Sequence, residues 1–283
     1  MMLNAQQLDQ FHNQGFVILD DVFARDALND IERAMRHLVW SFLDKAEFAH
    51  PGIAGSVEKG DELDGALAAL EAADHAYVAQ LYDTMSELPA LLRLHGGKGL
   101  SAVVNQLFGK DADAPLYTYT KRLRIDPPQD DRRTYGWHQE VFYTMPGSRF
   151  IQLWAPAIHD ATMANGTIEV CPGSHLDGIA EARWEQSPGR ALQVRVVDEV
   201  VKKYRPIRVE MELGQALLFS GRTIHRSGSN TSDKIRFSII GMFHDVDHRD
   251  FRPAKVSFDF HGMTPREFFE RQFAASDEDQ EVA

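Results

Sequence analysis

The sequence predicts a mainly β protein of the antiparallel sandwich or barrel class, set behind a helical front. Three observations predict it. The first hundred residues carry apolar residues at helical spacing. After Leu116 the pattern changes to short alternating runs rich in strand formers. Between those runs stand turn signals such as "DPPQDD", "ANG", "PGS" and "SGSNTSD" in place of long helices, the arrangement of a sandwich or barrel.

Taken in order, Asn4 is a candidate N-cap for a short helix through about Asn13, ended by Gly15. "FVILDDVF" reads as a strand. "RDALNDIERAMRHLVWSFLDKA" places Leu28, Ile31, Met35, Leu38 and Phe42 three and four apart, an amphipathic helix. Pro51 to Gly65 reads as a loop, and a second helical region follows over about 67–94. The β block then holds "YTYTKRLRI", "RFIQLWAPAI", "GTIEV", "RPIRVEM", "QALLFS" and "IRFSIIGMF". Residues 178–206 read as an irregular insertion in which "EARWEQ" forms one helical turn. A last helix is expected over Pro265 to Ala275, before a disordered acidic tail at 276–283, "SDEDQEVA". The organisation expected is one catalytic domain, 1–275, with a helical front at 1–115 and a β core at 116–245.

Composition narrows the partners. Thirty basic against 42 acidic residues give a net charge of −12, which argues against nucleic acid or an anionic membrane and leaves a small molecule. Cys171 is the single cysteine, so no internal disulfide can form and a reducing, cytoplasmic setting is expected. The start, "MMLNAQQLDQF", lacks the pattern of a secretory signal, and no apolar run has the length of a membrane span. Nothing in the sequence sets the oligomeric state.

The chemistry centres on "GWHQEVFY". His138 and Glu140 stand two apart, a spacing that puts side chains on one face of an extended segment. His-x-acid pairs are weak signals: chance predicts about two in this chain and there are three. His175/Asp177 lies in the loop "CPGSHLDG", and His248/Asp250 has only His261 downstream. His138/Glu140 alone borders a strand-rich block and has a well-placed third ligand, His225, just after the strand "QALLFS". Two histidines and one carboxylate form a facial site for iron. Beyond His225 come Ser227 at +2 and Arg236 at +11. Arg236 opens an apolar strand, where a guanidinium needs a partner; it either pairs with a core acid or clamps a ligand carboxylate.

The ordered set "WHQE", "LWAPAIHDATMANGTIEVCPGSH", "LGQALLFSGRTIH" and "RSGSNTSDKIRFSI" resembles the phytanoyl-CoA dioxygenase family of non-haem Fe(II), 2-oxoglutarate-dependent oxygenases. The resemblance covers about residues 116–245. It implies a double-stranded β-helix, the jelly-roll class, as the core. It implies that His138, Glu140 and His225 bind Fe(II), that Arg236 and Ser227 hold the distal carboxylate of 2-oxoglutarate, and that Trp154 walls the cofactor pocket, with Gln152 on the same face. The implied reaction hydroxylates an unactivated C–H of a small metabolite with O₂, releasing succinate and CO₂. The chain departs from the family at Glu140, where aspartate is usual.

Around this motif Tyr143, with a hydroxyl in need of a partner, is the first candidate for a substrate contact, followed by Trp137. Arg122 and Arg124 share one face of "YTYTKRLRI". They line a solvated edge, or, if that face turns inward, they favour an anionic substrate. Two other readings stay open: a cupin-type metalloenzyme that does not use 2-oxoglutarate, and a non-catalytic binding protein on the same fold. A carboxylate clamp at Arg236 and Ser227 discriminates against the first, and an intact ligand set against the second.

Overall fold

The computed structural model describes residues 2–57, 62–130, 134–144, 148–186, 192–253 and 262–270. The chain opens with α1 (Ala5–Gln14), in which Asn4 and Gln7 form a reciprocal capping box and Gly15 closes the helix in the left-handed region. Strand β1 (Phe16–Leu19) follows, shorter than the apolar run suggests because Asp21 takes a positive φ of 52°. Helix α2 (Arg25–Glu47) buries Leu28, Ile31, Met35 and Phe42 on one stripe, with Val39 in place of the half-buried Leu38. Helix α3 (Glu62–Ala73) starts inside the stretch expected to be a loop, since the buried stripe of Leu63, Ala66, Leu67 and Leu70 begins there. The second helical region is broken into three. Asp74 caps α4 (His75–Ser86) by accepting from the Ala76 amide, and Pro89 starts α5 (Pro89–His95). Helix α6 (Lys98–Phe108) completes the front.

Strands β2 (Leu116–Asp126), β3 (Phe150–Pro156) and β4 (Ile168–Val170) come next. The insertion differs from its sequence reading. "EARWEQ" holds β5 (Ala182–Glu185), paired with β6 (Gln193–Val196) in a hairpin, and only α7 (Asp198–Val201) is helical. Alternation decides it: Ala182 is buried, Arg183 exposed, and Val194 and Val196 fall on one buried face. Then come β7 (Ile207–Arg208), β8 (Ala216–Ser220), β9 (His225–Ser227) and β10 (Arg236–Asp245). Residues 265–270 are helical; 271–275 and the tail at 276–283 lie outside the described residues.

The strands make a five-stranded antiparallel sheet, β1-β8-β3-β10-β2, facing a three-stranded one, β7-β4-β9. This is a jelly-roll core. Period-two alternation sends each strand's residues to two destinations. One face of the large sheet, with Leu123, Leu153, Leu218, Phe237 and Ile239, packs on the helices of the front. The other, with Trp154, Leu217 and Phe219, meets Ile168 and Val170 of the small sheet. Polar contacts tie the layers. The His95 ring of α5 sets one nitrogen 2.8 Å from the Ile240 carbonyl of β10. A Cβ at Gly241 would come within 2.7 Å of that ring, so the close approach requires glycine. Among the described residues no helix is long and apolar enough to cross a membrane, and Cys171 is buried.

His244, on β10, has no exposed surface; its ring stacks on Phe150 and Ser148 Oγ lies 2.7 Å from Nδ1. Burial pulls its pKa down to about 4. The folded value lies below the unfolded one, so the unfolded chain takes up the proton first as pH falls. Stability is therefore lost between about pH 6.5 and 4, by up to about 3 kcal/mol from this group. The melting temperature is expected to fall from pH 7 to 5. His244→Gln should show a shallower fall, whatever its absolute stability; equal slopes would contradict this assignment.

Candidate active site

The described residues contain one group of three metal-competent side chains: His138, Glu140 and His225. Backbone pairing brings them together. His138 N donates to the His225 carbonyl at 2.9 Å and His225 N to the His138 carbonyl at 3.0 Å, so His138 extends the small sheet beyond β9. Their rings stand 4.2 Å apart. Each ring directs Nδ1 at a carbonyl oxygen two residues earlier, Gly136 at 2.7 Å and Thr223 at 2.9 Å. That contact places the proton on Nδ1 and leaves both Nε2 lone pairs facing the same space.

Glu140 starts a 3-10 turn and does not continue the strand. Its Oε2 lies 3.5 Å from His138 Nε2 and 3.7 Å from His225 Nε2. Burial pushes the His225 imidazole down to about 3, with His138 adding to the effect. Burial would raise the Glu140 carboxyl, but its contacts with His138, His225 and Gln152 hold it below the ordinary carboxylate range. Neutral imidazoles beside a carboxylate are the donor set of a divalent transition metal.

Gln139, between His138 and Glu140, was not singled out from the sequence. It has no exposed surface; its Nε2 donates to the carbonyls of Gly178 and Arg222, at 2.8 and 2.6 Å, and its Oε1 accepts from Ala180 N at 2.9 Å. A buried amide that uses donors and acceptor alike fixes the turn on which Glu140 sits. A glutamine beside a histidine gave no signal of this in the sequence.

A second polar cluster lies on the inner face of the large sheet. Register pairs Arg236 with Asp126, Ser238 with Arg124 and Ile240 with Arg122. The face that carries Arg122 and Arg124 therefore turns inward. Arg124 is 9% exposed; it donates to Asp126 Oδ1 at 2.7 Å and to Ser227 Oγ at 3.2 Å. Arg236, 3% exposed, pairs with Asp126 Oδ2 at 3.0 Å and donates to the carbonyls of Asn165 and Gly228, both at 3.2 Å. Burial would raise Asp126, but the two guanidinium groups hold it low. Ser227 thus meets Arg124, and Arg236 has the core acid as its partner. Yet Arg236 Nε and Ser238 Oγ are buried without a hydrogen-bond partner, so the cluster retains unfilled polar capacity.

The other expected residues divide. Trp154, 4% exposed, sits on the inner face among Ile168, Val170, Leu217 and Phe219. Gln152 reaches this group directly, its Nε2 donating to Glu140 Oε2 at 3.1 Å. The Tyr143 hydroxyl accepts from Val194 N at 2.7 Å and donates to Val194 O at 3.3 Å, so the hairpin strand β6 supplies the partner that the hydroxyl needs. The Tyr143 ring stands edge-on to His138. Trp137 is buried in one cluster with Val194 and Val196, with the Arg226 guanidinium 4.6 Å above its ring. Arg122 lies at the outer end of the inward row, over the Tyr82 ring and 3.8 Å from the exposed Asp83.

Comparison with known proteins agrees with this geometry. A family model described as Phytanoyl-CoA dioxygenase (PhyH) matches residues 11–238. "Phytanoyl-CoA dioxygenase domain-containing protein 1" of Danio rerio is 36% identical over 106 residues, 35% of each chain. "Ectoine dioxygenase" of Sphingopyxis alaskensis is 22% identical over 269 residues, 90% of this chain and 80% of that one. Among solved structures, EctD from S. alaskensis with 2-oxoglutarate and 5-hydroxyectoine superposes with a TM-score of 0.59 at 19% identity, covering 90% of this chain and 80% of that chain. The α-ketoglutarate-dependent epimerase SnoN from nogalamycin biosynthesis gives 0.54 at 16% identity, covering 89% and 90%. At such identities the superpositions speak for the fold alone. With a family match across most of its length, the chain belongs to the phytanoyl-CoA dioxygenase (PhyH) family.

Proposed function

We propose that this protein is an Fe(II)- and 2-oxoglutarate-dependent oxygenase that hydroxylates a C–H bond of a small metabolite. The observation that carries the reading is a balance of charge between the two clusters. With both imidazoles neutral, as metal ligation requires, His138, Glu140 and His225 would bear one negative charge, and Arg124, Asp126 and Arg236 together bear one positive charge. A divalent cation on the first cluster and a dianion reaching the second leave the buried region neutral, which a low-dielectric interior favours. The unpartnered Arg236 Nε supports an anion there, and 2-oxoglutarate is a dianion with a carboxylate at each end.

In this reading His138 Nε2, Glu140 Oε2 and His225 Nε2 hold the iron, and the Gly136 and Thr223 carbonyls keep both rings in the ligating tautomer. Arg236, Arg124 and Ser227 bind the far carboxylate, while Asp126 holds the two guanidinium groups in place. Trp154 closes the inner wall against water. Iron held by these residues would supply the activation of O₂ coupled to decarboxylation of the 2-oxo acid. The balance is R–H plus O₂ plus 2-oxoglutarate giving R–OH, succinate and CO₂, with one oxygen atom in each of the first two products. Arg122, weakly engaged at the outer end of the row, suits an anionic group on the metabolite. Family membership and the names of relatives such as "Ectoine dioxygenase" support the same reaction class.

Anaerobic titration with Fe(II) and then 2-oxoglutarate tests this. A visible charge-transfer band is expected from wild type. Arg236→Ala should weaken 2-oxoglutarate binding by roughly 10- to 100-fold, the value of a charged hydrogen bond or two, with Fe(II) binding intact. No band in wild type, or unchanged affinity in the variant, would contradict the assignment. In the same titration Arg122→Ala should keep 2-oxoglutarate affinity within about twofold of wild type; a large loss would move Arg122 from the substrate to the cosubstrate.

A further inference from the structure

The carboxylate of the triad is a glutamate, Glu140, and the structure shows what accompanies it. The Glu140 carboxylate is longer by one methylene and has one more torsion to fix than aspartate. It projects from a 3-10 turn toward strand β3, where Gln152 meets it. Gln152 is 4% exposed and stands in register between Phe219 of β8 and Met242 of β10. Its amide orientation is dictated, because the reverse would set a carbonyl oxygen against a carboxylate oxygen. The hydrogen bond falls on Oε2, the same oxygen that faces both histidine Nε2 atoms. The amide's own Oε1 is buried with no donor. A buried glutamine that satisfies its donor on this one oxygen and leaves its acceptor unmade serves that contact more than the packing around it.

We propose that Gln152 is a positioning residue for the metal centre. It holds the metal-facing oxygen of Glu140, so that Glu140 and Gln152 act as one unit. An aspartate at 140, shorter by about 1.5 Å, would not reach Gln152. The proposal rests on the reading of His138, Glu140 and His225 as a metal site.

The test uses Co(II), whose visible bands report coordination geometry, on the full chain in four forms: wild type, Gln152→Met, Glu140→Asp and the double variant. Methionine matches glutamine in length, has no donor and is tolerated in cores. Wild type should bind one Co(II). Gln152→Met should weaken binding by about 10-fold or more and alter the visible bands, while the metal-free melting temperature stays within about 3 °C of wild type. In the Glu140→Asp background, Gln152→Met should change Co(II) affinity by less than about twofold, because the contact is already lost. Affinity and spectrum unchanged by Gln152→Met would overturn the proposal, as would equal losses in both backgrounds. Wild type that binds no Co(II) would remove the metal reading itself, and this proposal with it. If Gln152→Met does not fold, Gln152→Leu takes its place with the same expectations.

Discussion

Two backbone hydrogen bonds exchanged between His138 and His225 hold the centre of this molecule together. They attach a segment from the loop after β2 to the edge of β9, residues 87 positions apart in sequence. Because both residues lie in one bridge, their side chains project from the same face of the small sheet toward the large one. The remaining ligand geometry follows. The two Nδ1 contacts fix the tautomers, Gln139 locks the next turn to the loop at 178–180, and Glu140 swings into the space that the bridge defines. Loss of the bridge would separate the imidazoles even if every side chain remained.

The large sheet contributes the opposite wall, and its contribution is charge. Arg236, Asp126 and Arg124 occupy adjacent positions on β10 and β2, with one carboxylate oxygen directed at each guanidinium. A buried arginine alone would be costly. Here the shared aspartate lowers that cost without cancelling the second positive charge, and in the proposed reading that residual charge favours an anion. The helical front supports this wall from behind through Leu123, Ile125, Phe237 and Ile239, which belong to the core cluster that includes the front helices.

Much of this was legible in the sequence. The strand alternation, the helical stripe of α2, the Asn4 cap and the grouping of His138, Glu140 and His225 all rest on local pattern or fixed spacing. Arg236 was legible as a guanidinium on an apolar strand that needs a partner, but its partner was not, since Asp126 lies 110 residues earlier and meets it only through the β2–β10 register. The same register decides which way Arg122 and Arg124 face, and alternation alone leaves that choice open. Tyr143 illustrates the converse: a hydroxyl in need of a partner is a sound inference, but the partner is the backbone of Val194 in a hairpin that the sequence disguised as an irregular insertion. Gln139 gave no signal, because a neutral amide shows its importance only through the groups it touches; the family resemblance puts Gln152 on the pocket face but not against Glu140.

In the proposed reading a metal and a dianion occupy adjoining clusters on the facing sheets, and the roles of the surrounding residues depend on that arrangement. A crystal structure grown anaerobically with Fe(II) and 2-oxoglutarate, with anomalous data at the iron edge, tests it most directly. It should show one iron bonded by His138 Nε2, Glu140 Oε2 and His225 Nε2, with the far carboxylate of the cosubstrate against Arg236 and Arg124. An iron bound elsewhere, or a cosubstrate carboxylate turned away from both arginines, would contradict it.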